Sequence, residues 1–238
     1  LKDSIYNSEL FSSSYNVIRC DRKYFILGQS PGGGVLLAIK QSINFDTLDV
    51  SFITDLVPSA DIVMCKCWLD NFTFYIAAIY IPPNLSNSDF IVLLEVLKSF
   101  FMAKAVIFIG DFNLTHFRSD VPLPPSNILQ NFQNFYRSRN FEQFNNILNV
   151  NNRLLDLVLS NIELDIEVEG NNLPFVPEDR HHPALSISFE RKYPSKHRQF
   201  PTANSWRYNF EKVQLYHEIF NADWSEIGLV KDVNTALD

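Results

Sequence analysis

The stretch Ala105-Val106-Ile107-Phe108-Ile109-Gly110-Asp111-Phe112-Asn113-Leu114 decides how this chain folds. Five apolar residues run without a break into a glycine, which predicts a short strand buried on both faces in the middle of a sheet. Asp111 and Asn113 follow two positions apart, so their side chains point the same way in extended chain. A carboxylate and a carboxamide that converge there can hold a water, a metal or a phosphate oxygen. The alternative is an Asx turn, in which both side chains satisfy amides of the loop.

The composition predicts a large folded domain. The chain has 238 residues, of which 46% are hydrophobic, and a formal charge of −7. No apolar run is long enough to span a bilayer. The three cysteines, Cys20, Cys65 and Cys67, give no disulfide framework, so we expect an intracellular, reducing compartment. The acidic balance argues against a broad basic nucleic-acid surface but leaves room for a local cluster.

Two elements before the central strand are predicted from their ends. Residues 72–80 form an apolar strand that Pro82 and Pro83 end, which places Tyr80 at a strand terminus. Tyr80 is then either a site residue or a half-buried aromatic. Ser86 and Ser88 can cap a helix whose apolar residues recur at helical spacing, and this helix leads into the central strand. The three elements form a strand–helix–strand unit.

The glycine run Gly32-Gly33-Gly34 resembles a phosphate-binding loop only superficially. It precedes an apolar strand rather than a helix, and it lacks the Gly-Lys-Ser/Thr ending of such loops. A flexible turn that feeds a buried strand explains the run better.

A carboxylate within the apolar run 154–159 predicts a buried polar contact. Asp156 lies between Leu155 and Leu157, and burial there is costly unless the carboxylate is paired. A histidine is the commonest functional partner, although an edge strand with Asp156 facing water is the alternative.

The second dense cluster of polar residues is Glu178-Asp179-Arg180-His181-His182-Pro183. Zinc is an alternative here, but adjacent histidines point in opposite directions in extended chain and no cysteine or spaced histidine accompanies them. A histidine oriented by a carboxylate and facing a phosphate fits the pattern better.

Taken together, the motifs resemble the endonuclease/exonuclease/phosphatase superfamily. They occur in that family's order: Tyr80-Ile81-Pro82-Pro83, Gly110-Asp111-Phe112-Asn113, Arg153-Leu154-Leu155-Asp156 and the acid–His–Pro cluster. Gly32-Gly33-Gly34-Val35 and His181-His182-Pro183-Ala184-Leu185 are most similar to the endonuclease domain of non-LTR retrotransposon polyproteins. The resemblance covers residues 1–190. It implies an α/β, DNase I-like four-layer sandwich of two packed β-sheets flanked by helices. Residues 191–238 would be a basic linker and a short helix leading towards a reverse transcriptase.

The resemblance also implies roles for individual residues. Asp111 would activate the attacking water, with Asn113 as its partner at the phosphate. Tyr80 would be the active-site tyrosine, and Asp156 would orient the catalytic histidine. Spacing to the following proline favours His181 for that role, with His182 as the alternative. Asp179 would bind the metal, expected to be Mg²⁺ or, alternatively, Mn²⁺.

The implied function is metal-dependent nicking of DNA in the nucleus, with a reverse transcriptase domain as partner. The family's N-terminal Asn and metal-binding Glu have no counterpart here, and Leu1-Lys2-Asp3-Ser4-Ile5 looks like the segment that follows the Glu. We therefore expect an N-terminally truncated fragment that lacks one or more strands and has impaired activity. The alternatives are a catalytically dead remnant of the same fold and a phosphatase of the same superfamily.

Overall fold

A computed structural model of the protein describes residues 5–23, 33–69, 72–102, 104–115, 117, 127–162, 164–171, 174 and 179–191. These residues belong to the first of the two units into which the chain divides, Leu1–Lys192. The predicted linker and helix beyond residue 191 lie outside the described residues, as does Gly32 of the glycine run.

The described elements alternate between strands and short helices. In chain order they are α1 Asn7–Leu10, β1 Tyr15–Asp21, β2 Gly34–Lys40, β3 Asn44–Thr47, α2 Ser51–Thr54, β4 Asp61–Leu69, β5 Phe72–Tyr80, α3 Asn87–Phe100, β6 Val106–Asp111, α4 Asn127–Ser138, β7 Glu142–Gln143, β8 Asp156–Ser160, β9 Leu164–Gly170 and β10 Leu185–Arg191. The sheet predicted around residues 105–110 is six-stranded, in the order β3-β4-β5-β6-β8-β7. Only β5 and β6 pair in parallel, because α3 carries the chain back between them.

The strand–helix–strand unit forms as predicted. Strand β5 ends at Tyr80, and Ser86 caps α3 by accepting a 3.1 Å hydrogen bond from the backbone N–H of Asp89. The predicted apolar face of α3 is buried, with Phe90, Leu93, Leu94 and Leu97 all inside. In the described part of the chain, no helix has both the length and the hydropathy to cross a membrane.

Helices α3 and α4 cover one face of the central sheet, which we call the helix face. Val106 and Phe108 of β6 point into it and are fully buried. The Phe108 ring packs edge-to-face on Phe101 and at a tilt on Phe135 and Phe141, with ring centroids 5.1 to 6.1 Å apart. Such closely packed aromatic pairs stabilise a core beyond the area that they bury.

The opposite face is covered by two separate two-stranded antiparallel sheets, β1–β2 and β9–β10, and we call it the hairpin face. Ile107 of β6 is buried there, whereas Ile109, two residues later, is only half-buried. Sheet therefore packs on sheet, as the resemblance implied, and within the described residues the second layer is in two pieces.

Candidate active site

Four polar side chains form a row across the end of the central sheet. Asp61 of β4 pairs with Tyr80 of β5, Tyr80 with Asp111 of β6, and Asp111 with Asp156 of β8. Each lies an even number of residues from neighbours that pack on the hairpin face, so all four project to that side. We call Asp61, Tyr80, Asp111 and Asp156 the polar row. The motifs predict that Tyr80, Asp111, Asn113, Asp156 and His181 converge. The structure brings the first four to this end of the sheet but not the His181 ring, and Asp61 is an addition.

Asn113 holds the Asp111 carboxylate in place. Its backbone N–H donates to Oδ1 of Asp111 at 2.9 Å, and its side-chain Nδ2 donates to Oδ2 at 2.8 Å. Nδ2 also donates to the carbonyl of Ile81 at 2.8 Å. Both hydrogens of the Asn113 side-chain amide are thus donated within the protein. No amide hydrogen of Asn113 is left for the expected contact with a phosphate. The geometry makes Asn113 a positioning residue for Asp111.

Gly110 is required by the close approach of strands β5 and β6. Its φ is +146°, and a Cβ built there would lie 1.9 Å from the carbonyl oxygen of Ile79. Any other residue would force the strands apart next to Asp111. The glycine of the Gly-Asp-Phe-Asn motif therefore has a steric cause.

Asp156 makes the predicted hydrogen bond to a histidine. It opens strand β8 rather than lying inside it, and its Oδ2 is 3.0 Å from Nδ1 of His182. Because an ionised carboxylate only accepts, the proton of this bond sits on Nδ1. Nε2 of His182 then faces Oδ2 of Asp111 at 3.9 Å, too far for a hydrogen bond. A water or a phosphate oxygen can be bound between them.

The preference for His181 is corrected by this geometry. His181 is exposed, and its Nδ1 lies 3.3 Å from Nδ2 of Asn151, away from the polar row. The turn that begins at Asp179 explains the outcome, since the His182 N–H donates to the Asp179 carbonyl at 3.1 Å and adjacent side chains diverge. The carboxylate of Asp179 is exposed and accepts from the His181 N–H at 2.8 Å. Asp179 therefore caps the turn, and its charge still acts to raise the pKa values of Asp156 and His182.

The loop before β8 holds this turn through a buried amide. Asn149 is 5% exposed. Its Oδ1 accepts from the N–H groups of Asn151 and Arg153, and its Nδ2 donates to the His181 carbonyl at 3.2 Å. Asn145, also buried, donates to the Asp156 carbonyl at 2.7 Å. These two amides join the Asp156 and His182 segments, and the Asn-rich stretch 145–152 was the available sequence signal.

Arg22 contacts the other end of the polar row, which the sequence did not predict. Its Nε and Nη2 both lie 2.9 Å from Oδ2 of Asp61, and its guanidinium carbon lies 4.2 Å from the centre of the Tyr80 ring. Asp61 is 3% exposed. Burial raises the pKa of the Asp61 carboxyl, against the lowering effect of Arg22. Each half of the row therefore receives one cationic side chain from outside the central sheet.

Burial of the two acids, and their charge beside His182, shift all three pKa values of the cluster upward. It raises the pKa of Asp111 to about 6, although the Asn113 N–H and His182 act to lower it. The pKa of Asp156 is also raised by burial, against the hydrogen bond from His182. For His182, burial lowers the pKa, but the hydrogen bond and charge of Asp156 outweigh it and the net shift is upward. The pKa values of all three groups are thus shifted upward, and their protonation states depend on one another.

The same three side chains suit a divalent cation. One donor atom from each lies within 4.8 Å of the others, and no further metal-ligand cluster occurs within the described ranges. Two carboxylates favour Mg²⁺, and an imidazole is also compatible with Mn²⁺. Asp179, the expected metal ligand, is not in this group.

A cavity of about 520 Å³ opens beside the cluster on the hairpin face. Asp111, Asp156 and His182 line one end, and Arg22 and Tyr80 line another part. The remaining wall is largely apolar and comes from β2 and the central sheet: Val35, Leu36, Ala78, Ile79 and Ile109.

Comparison with known proteins identifies the fold. No protein-family model matches the sequence. A sequence comparison with curated proteins also gives no match. The endonuclease domain of TRAS1, a telomere-specific non-LTR retrotransposon, superposes with a TM-score of 0.55 at 11% identity, over 78% of this chain and 84% of that chain. The human nocturnin catalytic domain superposes with a TM-score of 0.47 at 15% identity, over 74% of this chain and 73% of that chain. The mannosyl-6-phosphatase Bt3783 of Bacteroides thetaiotaomicron superposes with a TM-score of 0.49 at 12% identity, over 75% of this chain and 78% of that chain. The predicted DNase I-like fold is confirmed by the TRAS1 domain.

Proposed function

We propose that this chain, which has the fold of the endonuclease/exonuclease/phosphatase superfamily, is a metal-dependent phosphodiesterase that nicks DNA. The observation that carries the proposal is the trio of Asp111, Asp156 and His182, whose donor atoms lie within 4.8 Å at one end of an open cavity. Hydrolysis of a phosphodiester needs a base for the attacking water and positive charge for the developing oxyanion, and the trio offers both.

Asp111 is the base in this proposal. Its pKa of about 6 makes it mostly ionised at neutral pH yet basic enough to take a proton from water. Asn113 fixes both of its oxygens, so the carboxylate does not have to reorient when substrate binds.

His182 supplies the positive charge. With Nδ1 held by Asp156, its protonated ring points Nε2 towards the space beside Asp111. There it donates a hydrogen bond to a non-bridging oxygen of the phosphate. Such a preorganised donor stabilises the charge that grows on that oxygen in the transition state.

Asp111 and Asp156 would supply carboxylate ligands to a Mg²⁺ or Mn²⁺ ion, and His182 would join them through Nε2 only as the neutral imidazole, in place of its role as a protonated donor. A divalent cation at this point would act as a Lewis acid on the phosphoryl oxygens.

The substrate and cellular context come from the likeness to the TRAS1 endonuclease domain. On that basis the chain would be the endonuclease part of a non-LTR retrotransposon protein, act on nuclear DNA and work with a reverse transcriptase domain. A catalytically dead remnant and a phosphatase with the same fold are the competing functions.

The test is nicking of supercoiled plasmid by the 238-residue chain with Mg²⁺, with Mn²⁺ and with EDTA. The matched variant is Asp111→Ala, and bis(p-nitrophenyl) phosphate and p-nitrophenyl phosphate serve as small ester substrates. We expect metal-dependent nicking that the variant loses. Hydrolysis of the monoester alone would support the phosphatase, and no Asp111-dependent turnover of any substrate would support the dead remnant.

A further inference from the structure

Arg22 is a half-buried cation in the same cavity as the trio, and one of its donors makes no hydrogen bond within the described residues. Its side chain is 17% exposed and lines the cavity wall next to Tyr80. Nε and Nη2 are engaged by Asp61, whereas Nη1 makes no hydrogen bond to any part of the chain that the structure describes. A guanidinium that is fixed on one edge and free on the other is suited to bind an anion.

The guanidinium is held on three sides. Oδ2 of Asp61 fixes one edge, the Tyr80 ring supports one flat side at 4.2 Å, and Gly33 packs against Cζ and Nη1. A Cβ built on Gly33 would come within 2.6 Å of both atoms, and the φ of this residue is +93°. Residue 33 therefore has to be glycine for Arg22 to lie where it does. The glycine run thus has a role that its sequence context did not reveal.

The position of Arg22 relates it to the reaction centre. Tyr80 is paired with Asp111, so the guanidinium contacts the side chain of the residue that neighbours the base across the sheet. Arg22, Tyr80 and Asp111 all line the same cavity, so a substrate bound there would contact all three.

We propose that Nη1 of Arg22 binds a phosphate oxygen of the substrate, beside Tyr80, and so fixes the strand that Asp111 and His182 cleave. The inference rests on the proposed function and adds a substrate-binding residue to it. An Arg–Asp pair with only a structural role in this position would add little stability, because the desolvation cost of burying two charges is about as large as their attraction. The Arg22 side chain lines the cavity, and a bound phosphate oxygen would add an attraction that offsets this cost.

The test compares Arg22→Ala with Arg19→Ala. Arg19 is a matched control on the neighbouring strand β1, because it is 15% exposed, pairs with Asp21 and does not line the cavity. Arg22→Ala alone leaves the buried Asp61 carboxylate without its cationic partner. The double variant Arg22→Ala with Asp61→Asn removes this buried charge and serves as a second variant expected to fold. Gly33→Ala displaces the guanidinium without removing its charge. Arg22→Lys keeps the charge but loses the planar fork.

Plasmid nicking and sulfate binding are measured for each protein. We expect KM for plasmid to rise about 10- to 100-fold in Arg22→Ala, in the double variant and in Gly33→Ala, as for loss of a charged hydrogen bond. Values of kcat should change little, Arg22→Lys should recover part of the loss, and Arg19→Ala should match the wild type. Sulfate should raise Tm more in wild type and Arg19→Ala than in Arg22→Ala.

A folded double variant with wild-type KM would overturn the role of Arg22 while leaving the proposed function intact. If the wild type does not nick plasmid at all, the proposed function fails and the sulfate comparison decides alone. In that case, equal sulfate stabilisation of Arg22→Ala and Arg19→Ala overturns the inference, and a selective loss in Arg22→Ala supports the anion site.

Discussion

The two faces of the central sheet are built differently. On the helix face, α3 and α4 bury a continuous core of aromatic and aliphatic side chains, with Phe90, Phe108 and Phe132 all 2% exposed or less. On the hairpin face, the corresponding cluster of buried hydrophobic residues among those described is much smaller: Ile39, Cys65, Cys67, Phe74 and Ile107. The polar row and the cavity lie on this second face.

The helix face therefore mainly provides stability, and the hairpin face carries the candidate active site. The helix face anchors the strands through close packing, which fixes where each strand ends. The hairpin face can then carry four ionisable side chains at those ends, where they would be too costly in a close-packed core. Substitutions on one face should therefore reduce stability, and substitutions at the polar row should reduce activity.

The largest expected effect is a loss of nicking activity, caused by a substitution on the hairpin face. His182→Ala should lower the nicking rate about 10²- to 10³-fold, the usual cost of removing one preorganised charge-stabilising donor. Its Tm should stay close to that of the wild type, because the His182 side chain is 38% exposed. His181→Ala is the matched control and should lower the rate only a few-fold. Equal losses in the two variants would contradict the assignment of His182.

The comparison of the faces predicts unequal costs for the same substitution. Ile62→Ala on the helix face should lower the free energy of unfolding by about 2–5 kcal/mol, because Ile62 is 0% exposed and leaves a closed cavity. Ile109→Ala should cost roughly 1 kcal/mol, since this side chain is half-buried beside an existing opening. Equilibrium denaturation in urea measures both. Similar losses would show that the two faces are equally packed.

A buried amide on the hairpin side should have an intermediate effect. Asn149→Ala leaves two N–H groups and the His181 carbonyl without their partner, which should cost about 1–3 kcal/mol of unfolding free energy. Asn146→Ala, at an exposed position of the same loop, is the control and should be neutral. Thermal denaturation in parallel with nicking assays checks this. If the two variants behave alike, Asn149 does not hold the turn that carries His182.

The smallest effect is a pH dependence of stability in the metal-free protein. The pKa of Asp111 is about 6 in the folded chain against 3.8 ordinarily, so the folded state keeps a proton that the unfolded state has lost. Stability should therefore fall as pH rises from 3.8 to about 6, with a contribution of at most about 1.4 kcal/mol per pH unit from this group. The raised pKa of His182 acts in the same direction, since its contribution is lost as pH rises through the folded value.

Urea denaturation in EDTA across this pH range measures the slope. Asp111→Ala should show a flatter dependence than the wild type. A wild-type slope that persists unchanged in the variant would place the retained proton elsewhere.

Local sequence patterns determined much of the scaffold. The apolar run before Gly110 predicted β6, the prolines predicted the end of β5 at Tyr80, and Ser86 predicted the start of α3. These features depend on residues a few positions apart, so one sequence displays them directly. The same holds for the need of Asp156 for a partner, because a carboxylate beside buried leucines cannot remain unpaired.

The identities of the partners were decided by the tertiary structure. His182 rather than His181 meets Asp156 across 26 positions of chain, and Arg22 meets Asp61 across 39. Spacing to a proline favoured His181, whereas the structure brings His182 to Asp156, since the direction of each ring depends on the turn at Asp179 and on Asn149 in another loop. Contacts between distant segments depend on how the hairpins pack over the sheet, and no local pattern records that geometry. The sequence by itself thus determined the strands and the acids at their ends, and only the packing decided which cations would meet them.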